Sequence, residues 1–405
     1  VRPRLYLSCP VSINIDLDQH PNNPFVRFHV SPVSRGTKVR INSLDGIRGI
    51  AILSVLLLHH KLFNNGWMGV DLFFVLSGFL ITRNLRKDKD IKFFWSHFYL
   101  KRATRILPPM LFTCLLTVMF IPNAKLLIVL GYIFTLGGII DLDPHHFIEP
   151  LGPLWSLAVE EHFYLVWPFV IRFLDRKRAF TLLAVVVTLG PFLRMAFSHP
   201  MPTAALSVTY FLTPFRVDEM AFGCLLALLI EDKVAAHLLR RYSLLGFSVT
   251  VSIYLFAWLK LHHIYFYPGG HTKLFDSMGY WLVALTSFFL TAHVYLQRDS
   301  FVANLMSFGP LAFLGRISYG IYLYHILIRT LIMWYLGITS QKLAFVFDIP
   351  LVLILSSLSF KYYEQPIIDW GRRRAAQIGS TSQPLHSAPN IQIQAASAIH
   401  QQKYL

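Results

Sequence analysis

Charged side chains are scarce in this chain: Asp, Glu, Lys and Arg make up 14% of its 405 residues, against about 25% in an ordinary soluble domain. That scarcity excludes a water-soluble fold of this size. Cysteine is scarcer still, with three in all: Cys9 near the start, and Cys114 and Cys224 inside apolar runs. No two have the spacing of a zinc site or of a disulfide framework, so no metal is expected. Residues 1–40 are polar, contain proline and lack the apolar core of a secretory signal. They read as a disordered cytoplasmic leader. No internal repeat is visible, which weighs against a transporter built from two related halves.

What the chain does contain is apolar sequence in runs of span length. It is 55% hydrophobic, with a mean hydropathy of +0.51. The reading is an all-α, polytopic protein whose partner is the lipid bilayer. A net charge of +16 raises nucleic acid as a ligand, but the Lys and Arg residues sit in short clusters between apolar runs. That distribution is positive-inside topology, and no nucleic acid is expected.

About ten transmembrane helices are expected, near 47–63, 70–84, 105–121, 153–173, 179–197, 209–230, 242–260, 275–296, 310–335 and 343–363. A further apolar stretch lies at 124–140. If that stretch does not cross, the basic cluster Arg83–Arg105, the Arg172–Arg178 cluster and Arg372–Arg374 all fall on one side. If it crosses, the Arg172–Arg178 cluster moves to the other. The Lys and Arg bias favours a re-entrant or interfacial 124–140 and both termini in the cytoplasm. The domain expectation is a leader over 1–40, a membrane domain over 41–370 and a disordered cytoplasmic tail over 371–405.

Within the first span, Arg48 is followed eleven residues later by His59. Eleven residues turn a helix through about 1100°, some 20° from three full turns, so the two side chains share a face roughly 16 Å apart. Ionisable groups inside a membrane are costly and mark function. An Arg at one headgroup level can hold an anion while a His works near mid-membrane. His60, about 120° away from Arg48, is the weaker candidate. Arg102 and Arg105, one turn apart at the start of the third span, have the pairing that grips phosphate; ordinary positive-inside anchoring explains them equally well. Glu160 lies in an otherwise apolar span. It can orient a His, neutralise an Arg or serve assembly alone. Ser318, Tyr322 and His325 line one stripe of the ninth span. His325 is a second proton carrier or an acceptor-binding group, with interhelical hydrogen bonding as the plainer reading. Asp71 and Tyr322 are candidate substrate-binding residues. Ser77, followed by Gly78, reads as small-residue helix packing, and His162 as a cavity-lining residue. The loops 141–152 and 261–274 are candidates for shaping an acceptor site.

Taken together, LDGIRGIAILSVLLLHH at 44–60, GVDLFFVLSGFLIT at 69–82, FYLKRATRILP at 98–108, GPLWSLAVEEHFYLVWP at 152–168, FRVDEMAFG at 215–223, LGRISYGIYLYH at 314–325 and YYEQP at 362–366 resemble the acyltransferase-3 family of integral membrane acyltransferases. With no esterase-like domain after the last span, the resemblance is to its stand-alone form. It implies transfer of an acyl group, most often acetyl, from acyl-CoA in the cytoplasm to a hydroxyl of a cell-envelope saccharide or related glycosylated acceptor, by a protein of the cell's inner membrane. On that reading His59 is the base, Glu160 and Arg48 complete the catalytic set, and Arg48, Arg102 and Arg105 bind the CoA phosphates. The rival expectation is a proton-coupled transporter or flippase of a sugar-containing substrate.

Overall fold

The computed structural model describes residues 13–14, 29–30, 41–122, 124–143, 145–198, 208–260 and 274–380. The chain divides into Val1–Asn42 and Ser43–Leu405. In the first unit, Ile13–Asn14 pairs antiparallel with His29–Val30. The rest of the leader expected over 1–40 lies outside the described residues, as do 381–405 of the expected tail and 261–273 of the expected acceptor loop.

The second unit is helical. Its helices in order are α1 (Asn42–His59), α2 (Met68–Lys87), α3 (Phe94–Phe120), α4 (Leu126–Ile133), α5 (Gly137–Ile140), α6 (Leu154–Phe173), α7 (Arg176–Phe197) and α8 (Val208–Phe211). They continue with α9 (Val217–Leu229), α10 (Lys233–Lys260), α11 (Tyr280–Leu296), α12 (Phe301–Met306), α13 (Gly309–Arg316), α14 (Ser318–Leu336), α15 (Gln341–Ser359) and α16 (Gln365–Ser380). The last of these carries the chain ten residues beyond 370, the expected edge of the membrane domain.

All ten expected segments are helical, but they differ in kind. Six helices are long and apolar enough to cross a bilayer, or seven if α13 and α14, bent by 72° at Ile317, form one span. The other three are α1, α6 and α9, shorter or more polar helices that carry Arg48 and His59, Glu160 and Glu161, and Asp218 and Glu219. Of these, α1 and α9 are largely enclosed, whereas α6 exposes Leu165, Val166, Phe169 and Phe173, as α7 exposes Leu189 and Phe192 and α10 Phe256 and Leu259. This is a multi-pass membrane protein. The 124–140 stretch folds as α4 and α5, eight and four residues long, broken by Thr135 at φ 66°. Neither can span a hydrocarbon core of about 30 Å at 1.5 Å per residue.

Close approaches fix the register of the charged helices. A Cβ on Gly223 of α9 would lie 1.9 Å from the Val75 carbonyl oxygen of α2, and one on Gly315 of α13 would lie 1.7 Å from the Asp45 carbonyl oxygen of α1. Only a residue without Cβ lets the backbones meet there. The second contact seats the first turn of α1, and so Arg48, against the α13–α14 bend. Ile52 and Leu56 of α1 then pack with Ile317, Ile321 and Val352. In α3, Pro108 and Pro109 remove the amides that would otherwise bond the carbonyls of Thr104 and Arg105. The neighbouring Ile106 and Pro108 carbonyls accept from Tyr319 Oη at 2.9 Å and Tyr363 Oη at 3.2 Å. The interruption follows directly after Arg102 and Arg105.

Candidate active site

A cavity of about 110 Å³ opens between α1, α2, α3, α6 and α14. Its lining includes Arg48, Arg102, Arg105, Glu160, Ser318 and Tyr322. Arg48 donates to Asp45 Oδ1 at 3.1 Å, one helical turn back, with its side chain 21% exposed. Arg102 lies over the rings of Phe98 and Tyr164, 5.6 and 5.4 Å from their centroids. Those rings support its apolar flank and leave the guanidinium edge for polar partners.

Glu160 is held on both oxygens. Ser77 Oγ donates to Oε1 at 2.7 Å and Tyr164 Oη to Oε2 at 2.5 Å. Ser77 thus adds a bond to the small-residue helix packing expected at Ser77–Gly78, where a Cβ on Gly78 would lie 2.1 Å from the Met220 carbonyl oxygen: its hydroxyl reaches across from α2 to fix the carboxylate. Tyr322 also lines the cavity, with Oη 2.5 Å from Ser156 Oγ and 3.0 Å from the Pro153 carbonyl.

His59 does not line this cavity. It stands behind Tyr322, reached through His325: the Tyr322 and His325 ring centroids are 5.9 Å apart, and those of His325 and His59 4.9 Å apart with planes at 60°. His325 Nε2 lies 3.2 Å from His59 Nδ1. One turn further along α14, Arg329 donates to the His59 carbonyl at 2.5 Å and to Glu149 Oε1 at 2.7 Å. Arg329 thus ties the end of α1 to the loop 141–152. In that loop Asp141 is enclosed and accepts from Tyr132 Oη. Burial pushes its carboxyl up to about 8.

Of the residues singled out in the sequence, Arg48, Arg102, Arg105, Glu160 and Tyr322 share one cavity, and His59 and His325 share one contact beside it. Asp71, expected to bind substrate, is elsewhere. It is fully enclosed and hydrogen-bonded by Arg216, so in this structure it joins α2 to the start of α9 and is not among the residues that line the arginine cavity. His162, expected to line a cavity, is not among the lining of this one; it contacts Thr213 Oγ1 at 2.7 Å and Thr135 Oγ1 at 3.1 Å. His60 is buried and 2.6 Å from Asp348 Oδ2 of α15, an interhelical tie. Among the described residues no three His, Cys, Asp or Glu side chains cluster as metal ligands would.

Sequence comparison gives this arrangement its setting. A match to the family's acyltransferase domain covers residues 41–360. The chain belongs to the acyltransferase-3 family. Similar members include the peptidoglycan O-acetyltransferase OatA of Listeria monocytogenes, 30% identical over 82% of this chain and 57% of that protein. The O-acetyltransferase OatA of Staphylococcus aureus is 28% identical over 80% of this chain and 56% of its own length. The chain thus spans little more than half the length of these relatives. No solved structure matches. The family match takes in Arg48, His59, Arg102, Arg105, Glu160, Tyr322 and His325, so the cavity and the histidine pair both belong to the family's domain.

Proposed function

We propose that this chain moves an acyl group, acetyl first among them, from acyl-CoA to a hydroxyl of a cell-envelope saccharide, peptidoglycan included. One observation carries the reading: three arginines from two helices line a single cavity, and Tyr322 of the same lining abuts a pair of histidines. Coenzyme A is a polyanion with a pyrophosphate, a 3′-phosphate and a long thin arm. Guanidinium groups grip such phosphates by paired charge-assisted hydrogen bonds, and the arm carries the thioester inward toward Tyr322.

The chemistry needs a base for the acceptor hydroxyl, and neutral imidazole is suited to that near pH 7. His59 takes the hydroxyl proton, the oxygen attacks the thioester carbonyl, and the tetrahedral adduct collapses with departure of the CoA sulfur. The proton held by His59 then passes to that sulfur. Glu160, within electrostatic range of Arg102, balances the arginines when the anionic donor is absent. The arginine side is the cytoplasmic side on this reading, and the loop 141–152, tied to His59 through Glu149 and Arg329, borders the acceptor. The relatives' printed activities support O-acetylation as the reaction type.

The test is kinetic. Replacing both Arg102 and Arg105 by Gln is expected to raise KM for acetyl-CoA by about 10- to 100-fold, the worth of a lost hydrogen bond to a charged group. KM for the acceptor should not change. Steady-state rates in membranes at varied acetyl-CoA measure it, and an unchanged KM for acetyl-CoA rejects the donor site.

A further inference from the structure

We propose that His325 is a positioning residue: it fixes His59 in the tautomer whose Nε2 is bare, and it stabilises the charge His59 acquires when that nitrogen takes a proton. The proposal rests on the acyl-transfer reading for its consequence in turnover, but the deduction itself is one of donors and acceptors.

Two backbone carbonyls sit against His325 Nδ1, that of Tyr322 at 2.8 Å and that of Ile321 at 3.2 Å. Carbonyl oxygens only accept, so His325 Nδ1 carries the hydrogen, and in the neutral ring Nε2 is the lone pair. That lone pair is 3.2 Å from His59 Nδ1. The other neighbour of His59 Nδ1 is the Val55 carbonyl oxygen at 3.0 Å. Both neighbours accept, so His59 Nδ1 must donate. The one basic nitrogen left on His59 is Nε2.

This is the logic of an orienting carboxylate behind a catalytic histidine, with a second imidazole in the carboxylate's place. A neutral orienter has a particular advantage here, because a carboxylate at the same point would be drawn to Arg329. The groups facing His59 from its neighbours are few. From α14 come His325 and Arg329, whose guanidinium reaches the His59 carbonyl and is answered by Glu149 of the 141–152 loop. From α1 itself comes His60, engaged by Asp348 of α15. When the acceptor hydroxyl gives its proton to His59 Nε2, the Nδ1–H···Nε2 bond to His325 becomes charge-assisted. No proton need move between the rings, and the imidazolium returns its Nε2 proton to the departing sulfur.

Two variants of the full chain separate this role from packing. His325→Leu removes the acceptor, whereas His325→Gln returns an amide oxygen close to the place of Nε2. His325→Leu is expected to lower kcat by about 10- to 100-fold and to leave KM for acetyl-CoA unchanged. The acid limb of its pH profile moves to lower pH, because an imidazolium without its acceptor gives up its proton more readily. His325→Gln restores most of kcat. Full kcat in His325→Leu, or equal impairment of both variants, overturns the proposal.

A readout independent of turnover is the 15N spectrum of the histidine-labelled protein, with the His59 signals identified by their loss in His59→Ala. Protonated Nδ1 and bare Nε2 on His59 are expected. Protonated Nε2 overturns the tautomer whether or not transfer is seen. Absence of acyl transfer together with the expected spectrum overturns the acyltransferase reading and leaves the tautomer standing.

Discussion

His59→Ala is expected to lower the turnover of acyl transfer by about 100- to 10,000-fold, the usual contribution of a positioned general base, while the protein still inserts and accumulates. The two halves of that result have separate physical grounds. Turnover falls because the bare Nε2 of His59 is the group assigned to the acceptor proton, and its neighbour in sequence does not replace it: His60 is turned to Asp348, with neither side chain exposed. Folding survives because, among the described residues, the His59 side chain bonds only the Val55 carbonyl and His325. The tie from α1 to α14 runs through the His59 backbone carbonyl to Arg329, which alanine keeps. Initial rates of CoA release at saturating acetyl-CoA, beside the yield and melting temperature of detergent-extracted protein, check both. Retained turnover removes His59 as the base. Loss of the folded protein makes it a packing residue.

Arg216→Met is expected to have the largest effect on stability. Arg216, at the start of α9, is fully enclosed; it bonds Asp71 of α2 and lies 3.1 Å from Glu219 Oε1. Phe74, Trp155, Tyr210 and Tyr280 surround its guanidinium, with centroids 5.8, 5.7, 5.1 and 4.3 Å away. Arg194 of α7 meets Asp218 with two bonds of 2.7 Å in the same region. Three carboxyls and two guanidiniums are thus enclosed together. Removing Arg216 strands Asp71 and Glu219 without a counter-charge, at a cost of about 3–5 kcal/mol. Neutralising the partner as well should recover part of that loss, so Asp71→Asn/Arg216→Met should melt above Arg216→Met alone. Thermal unfolding in detergent measures the pair. A single variant as stable as wild type would show that the cluster contributes nothing to holding α2 against α9.

How much of this was legible in the sequence follows from the range of each interaction. The Arg48–His59 register was readable because both residues lie on one helix and helical period alone sets their shared face. The ten helical segments were readable from apolar runs, and Glu160 and the Arg102–Arg105 pair stood out as charges at the ends or in the middle of such runs. Which helices would shelter the others was not readable from apolarity alone. Of the three more polar helices α1 and α9 are largely enclosed, whereas α6 exposes Leu165, Val166, Phe169 and Phe173.

Pairs across helices left no local pattern. Ser77 meets Glu160 across 83 residues, Arg329 meets Glu149 across 180, and His60 meets Asp348 across 288. A signal for several of them was nonetheless present. Arg194, Arg329 and Asp348 are single charges within apolar runs, and the rule that such residues are paired and purposeful applies to them as well as to Arg48. The 72° bend at Ile317 had no proline to announce it. It sits where Gly315 lets α13 meet the backbone of α1.

The measurement that tests the account most directly follows the acetyl group itself. Membranes holding the wild-type chain or His59→Ala are given acetyl-CoA labelled in the acetyl carbon together with a cell-envelope saccharide. The account predicts label on the saccharide, one free CoA released for each acetyl moved, and neither with His59→Ala. Label that stays on CoA while the saccharide crosses the bilayer would contradict it, and would make the buried charges the path of a carrier.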